Sequence, residues 1–72
     1  MSRGFERIVL RAVREVNPDI PARFFNGTLF LQNTTRVITQ DIYIAVDYIR
    51  KITNSDVKAS RVGDEIAVDF IA

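Results

Sequence analysis

Apolar residues recur along the first stretch, SRGFERIVLRAVREVN, at Phe5, Ile8, Val9, Ala12, Val13 and Val16. That is the period of an α-helix with one side turned to a core. The opposite side is basic. Arg3, Arg7, Arg11 and Arg14 follow one another at spacings of four, four and three, which stacks four guanidinium groups along one helix face. Ser2 offers an N-cap, and Glu6 lies close enough to the N-terminus to favour the helix dipole. Asn17-Pro18 ends the run, because the residue before a proline is driven out of the α region. The pattern predicts a helix over 3–16.

In ARFF-NG-TLFLQ, two apolar runs flank Asn26-Gly27, the strongest short signal for a β-hairpin. A two-residue turn there pairs Phe25 with Thr28, Phe24 with Leu29 and Arg23 with Phe30. Alternation then puts Ala22, Phe24, Leu29 and Leu31 on one face, and Arg23, Phe25, Thr28 and Phe30 on the other. After the loop Asn33-Thr34-Thr35, the stretch ITQDIYIAVDYIRKIT is rich in β-branched residues, but its sixteen residues are too many for one strand. Ile38, Ile42, Ala45, Val46, Ile49 and Ile52 keep a helical period, Thr39 offers a cap, and Arg50 and Lys51 suit the last turn. Ile44 and Tyr48 fall off that stripe and make a second, smaller apolar strip. VKASRV-GD-EIAVDFIA closes the chain as another hairpin, turning at Gly63-Asp64 and setting Lys58 opposite Asp69. Its inner face holds Val57, Ala59, Ile66, Val68 and Phe70, with Arg61 at the rim.

The order is αββαββ. The economical α+β architecture is one small domain over 1–72, a four-stranded antiparallel sheet with both helices packed on one face. The other sheet face is open and carries Arg23, Phe25, Phe30, Lys58, Ser60, Ala67 and Asp69.

Composition narrows the classes. With 47% hydrophobic and 26% charged residues the chain reads as folded rather than disordered. A core of this size supplies only about 3–5 kcal/mol of net stability. There is no cysteine and no histidine, so no disulfide, no thiolate metal site and no imidazole acid–base group. An unstapled domain this small gains from oligomerising, so a homo-oligomer is expected. No apolar run is long enough for a membrane span, and the N-terminus has arginines but no continuous apolar core of a signal peptide, which points to a cytoplasmic protein without a membrane partner. Two Asn-x-Thr triplets, at Asn26 and Asn33, are read as coincidental matches to a glycosylation pattern.

The net charge of +1 hides an asymmetry: residues 1–36 carry six arginines against three acids, and residues 37–72 carry four cations against six acids. No Gly-rich phosphate loop, Ser–His or Cys–His pair, or metal-ligand spacing is present. Asp41 and Asp47 fall on different helix faces, and Tyr43 and Tyr48 read as packing residues. The expectation is a non-enzymatic chain with no cofactor, no metal and no small-molecule substrate.

What remains is binding. The Arg3/Arg7/Arg11/Arg14 face suits phosphates or an acidic protein; its bland reading is a solvated face with pairs such as Arg11–Glu15 and Arg3–Glu6. Arg23, Phe25 and Phe30 resemble a stacking platform for bases, or a subunit contact. The Ile44/Tyr48 strip is a further interface candidate. In a two-layer sandwich the arginine face and the phenylalanine platform lie on opposite sides. The expected function is a self-associating macromolecular binding module. One version binds nucleic acid through the arginine-lined helix. The alternative is an adaptor or scaffold for an acidic protein partner.

Overall fold

The computed structural model describes residues 3–34 and 39–71, with Arg3 described by its backbone only. Ser2, Thr35, Ile38 and the Arg3 side chain, each given a role above, lie outside the described residues. The elements are α1 (Arg3–Val16), β1 (Ala22–Phe25), β2 (Thr28–Gln32), α2 (Thr39–Thr53), β3 (Val57–Val62) and β4 (Glu65–Phe70). This is the expected αββαββ order. The strands form one antiparallel sheet in the order β1-β2-β4-β3, so the two hairpins join through β2 and β4 and leave β1 and β3 as edges.

The turns follow from local backbone chemistry. Asn26 (φ 50°) and Gly27 (φ 80°) both take left-handed conformations, the pair a tight hairpin turn with native twist requires. The resulting register pairs Phe25 with Thr28, Phe24 with Leu29 and Arg23 with Phe30, as the spacing predicts. Gly63 (φ 61°) opens the second turn, and Lys58 lies opposite Asp69. Asn54 (φ 51°) ends α2 in the left-handed position where helices commonly stop.

Both helices lie on one sheet face. Val9, Ala12 and Val13 of α1 and Ile42, Ala45, Val46 and Ile49 of α2 bury against Leu29, Leu31, Ile66 and Val68. Phe70 closes one end, edge-on to Phe5 at 5.1 Å and stacked on Phe24 at 6.2 Å between ring centroids. The helices run antiparallel. Asn17, at the end of α1, donates from Nδ2 to Asp41 Oδ2 near the start of α2 at 3.1 Å. Its Oδ1 accepts from the Asp19 amide at 2.9 Å, which fixes the turn that carries the chain toward β1.

The structure departs from the pattern at Ile8, Ala59 and Ala67, and at Ile52 of α2, which leaves its core stripe 42% exposed. Ile8, expected in the core stripe of α1, is 55% exposed. It sits about 80° round the helix from the centre of that stripe, beyond the arc the sheet covers. Ala59 shares the inner face but is exposed, because β3 is an edge strand and only its first residue, Val57, packs against the core. Ala67, assigned to the open face, is buried: β4 is an interior strand, and this small side chain lies between Phe30 and Ser60 on its neighbours.

Candidate binding surfaces

α1 presents Arg7, Arg11 and Arg14 to solvent, as the four-four-three spacing requires. Arg11 Nε lies 3.7 Å from Glu15 Oε1, and its side chain stays 81% exposed. An ion pair this open contributes at most about 1 kcal/mol and leaves the guanidinium available. Arg7 and Arg14 have no ion-pair or hydrogen-bond partner among the described residues. They flank a shallow hollow with Glu6 and Leu10.

The open sheet face differs from a stacking platform. Phe25 is 60% exposed, but Phe30 is half-buried beneath Arg23, whose guanidinium carbon lies 4.6 Å from the ring centroid. Arg23 Nη2 also pairs with Glu65 Oε1 at 3.3 Å. Glu65 reaches this position because β2 pairs with β4, setting Gln32 opposite Glu65 and Phe30 opposite Ala67. A base could stack on Phe30 only by displacing a cation already held at both ends. Beside it, the Thr28 hydroxyl donates to Asp69 Oδ1 at 2.7 Å. Phe25 is therefore the one open ring of the expected pair, on a face that is otherwise mostly polar.

The third surface lies between the helices, on the side away from the sheet. Ile44 is 47% exposed and Tyr48 is half-buried, with its hydroxyl donating to Glu15 Oε2 across the helix pair at 2.8 Å. The hydrogen bond to Glu15, and then the negative charge of that carboxylate, push the Tyr48 phenol above its ordinary pKa. Two further residues join the strip. Ile8 of α1 and Ile52 of α2, the latter 42% exposed, line the same groove with Arg11, Glu15 and Tyr48. The periodicity assigned both isoleucines to core stripes. The available signal was their position at the margin of each stripe, where a residue faces the neighbouring helix rather than the sheet. Further along, Val16, Ile44, Asp47 and Lys51 continue the groove. Asp47 accepts from Arg50 Nη2 at 2.6 Å and pairs with Lys51 Nζ at 3.3 Å, and hydrogen bonds from these two cations hold its carboxyl below the ordinary range.

No three acidic side chains converge as metal ligands among the described residues, and the sequence contains no histidine or cysteine. No described helix is long and apolar enough to cross a membrane. The structure thus brings Arg7, Arg11 and Arg14 together with Ile44 and Tyr48 on the helical side and leaves Arg23, Phe25 and Phe30 on the other. No protein family, curated protein or solved structure matches this chain.

Proposed function

We propose that this chain is a non-enzymatic binding module that takes an acidic protein partner on its helical side. The observation that carries this reading is contiguity. The basic face of α1 and the isoleucine strip of the groove meet at Arg11, which lines the groove with Ile8 and Ile52, while Arg7 and Arg14 line the neighbouring hollow of the same helix with Glu6 and Leu10. A phosphate backbone offers nothing for exposed isoleucines to bury against, whereas a protein surface offers both carboxylates and apolar side chains. Of the two rings that would serve base stacking on the opposite face, Phe30 is covered by Arg23, which leaves Phe25 alone.

Nucleic acid is the second reading, favoured by one observation: Arg7 and Arg14 have no acidic partner among the described residues. Self-association has less support. The open sheet face offers one free phenylalanine, and the β3 edge carries Lys58 and Arg61, charges that discourage strand pairing between copies.

A titration at low salt separates the readings. The wild type should bind a peptide rich in glutamate and apolar residues and leave duplex DNA unretarded, and Arg7→Glu with Arg14→Glu should abolish peptide binding. Retardation of DNA that the same double variant abolishes would move the assignment to nucleic acid, with affinity falling steeply as salt rises. Binding to neither probe would remove the proposal.

A further inference from the structure

The chemistry of the helical side goes further than an acidic partner in general. We infer that the groove between α1 and α2 is the seat of an amphipathic α-helix whose acidic flank faces α1. This rests on the reading above and names the partner's secondary structure and orientation.

The shape of the groove comes first. Ile44, Tyr48 and Ile52 occupy successive i+4 positions, so they form one ridge on α2, about 12 Å from end to end. Ile8 faces them from α1, and Ala12 and Val16 line the space between. Two antiparallel helices with ridged flanks leave a trough of the kind a third helix fills, its own apolar residues at i, i+4 and i+7 interlocking with the ridge. Ile8, Ile44 and Ile52 are the large aliphatic residues of the helix pair left substantially exposed, and all three line this trough. An apolar strip rimmed by polar groups is characteristic of an interaction site.

Charge then selects and orients the occupant. The groove's two acids are already engaged: Glu15 by Arg11 and the Tyr48 hydroxyl, Asp47 by Arg50 and Lys51. Arg7 and Arg14 on the α1 side have no such partner among the described residues, and α1 carries four arginines against two glutamates. α2 is balanced, with Asp41 and Asp47 against Arg50 and Lys51. The groove's own lining is balanced, with Arg11 and Lys51 against Glu15 and Asp47, and the uncompensated positive charge stands along its α1 rim, where Arg7 and Arg14 line the neighbouring hollow. A helix seated in the trough places carboxylates there on one flank and needs no net charge on the other. A second copy of this chain is a poorer occupant, because it brings the same arginines against the same face.

The test uses the whole chain and two fluorescein-labelled synthetic peptides of about fifteen residues, long enough to cover the ridge. One peptide carries leucines at i, i+4, i+7 and i+11 with glutamate elsewhere. The other has the same composition with the leucine order scrambled. The amphipathic peptide should bind about tenfold or more tightly than the scrambled one. Ile8→Ser and Ile44→Ser should each reduce its affinity about tenfold, with an unchanged thermal melt because both side chains are exposed. Arg7→Glu should weaken both peptides. Equal affinity for the two peptides, or insensitivity to both isoleucine substitutions, would overturn the groove assignment while arginine dependence kept the acidic-partner reading. Binding of neither peptide, or of duplex DNA in their place, would overturn both.

Discussion

Tyr48 of α2 donates its hydroxyl to Glu15 Oε2 of α1 at 2.8 Å, a contact that joins the two helices across 33 residues of sequence. It spans the groove proposed as the binding site and ties one wall to the other. The same carboxylate receives Arg11 at 3.7 Å, so Glu15 links the basic face of α1 to the apolar strip.

That bond exists only while the phenol keeps its proton, which gives it a pH signature. The Tyr48 pKa is raised above the ordinary tyrosine value because ionisation would lose the hydrogen bond to Glu15 and place a phenolate against its carboxylate. A group whose folded pKa is raised contributes its full stabilisation below the unfolded value, about 10 for tyrosine, and loses it as pH rises through the folded value. In a Tyr43→Phe background, ultraviolet titration should find Tyr48 elevated, and Glu15→Gln should bring it back toward the ordinary value. A Tyr48 midpoint that Glu15→Gln leaves unmoved would show that the bridge does not form in solution.

Asp47 carries the opposite sign. Its pKa is lowered by hydrogen bonds from Arg50 and Lys51, so these contacts contribute above the ordinary carboxylate pKa and are lost as pH falls through the depressed value. A carboxyl-carbon NMR titration should place Asp47 below a normal aspartate in the wild type. Arg50→Ala should raise it, because Arg50 supplies the largest of the effects that hold it down.

Gly63 separates backbone strain from crowding. A methyl group there would meet nothing within 4 Å, yet the residue holds φ at +61°. Gly63→Ala should destabilise by about 1–2 kcal/mol from conformation alone, and Gly63→Asn should cost less, since asparagine tolerates the left-handed region. Urea denaturation of the two variants checks the ordering.

Leu31 is fully buried at the centre of the sheet. Leu31→Ala should cost about 2–5 kcal/mol, comparable with the whole net stability of about 3–5 kcal/mol for a core of this size. The variant should be largely unfolded by far-ultraviolet circular dichroism at room temperature. A well-folded Leu31→Ala chain would mean that the net stability exceeds the cost of the cavity.

Arg23 and Phe30 form a cation–π contact on the open sheet face. A double-mutant cycle with Arg23→Ala and Phe30→Leu should give a coupling of about 0.5–1 kcal/mol, the range for exposed pairs. Glu65→Gln should reduce that coupling by freeing the guanidinium. Zero coupling would return Phe30 to the role of an open aromatic surface.

Much of the architecture was legible in one dimension. The arginine spacing, the apolar period of both helices, Asn26-Gly27 and Gly63-Asp64 define the six elements and the register of each hairpin, because turn chemistry and side-chain periodicity act over a few residues. Arg7, Arg11 and Arg14 face solvent for the same reason: their direction is a property of the helix alone. Long-range packing decided the rest. Pairing of β2 with β4 brought Glu65 to Arg23 and so put a lid on Phe30. Antiparallel docking of α1 on α2 turned Ile8 and Ile52 from stripe members into groove walls and set Tyr48 against Glu15. Helical period states which residues share a side, but not how wide an arc the sheet will cover or which neighbour will stand beside the remainder. Those depend on contacts between segments far apart in the chain.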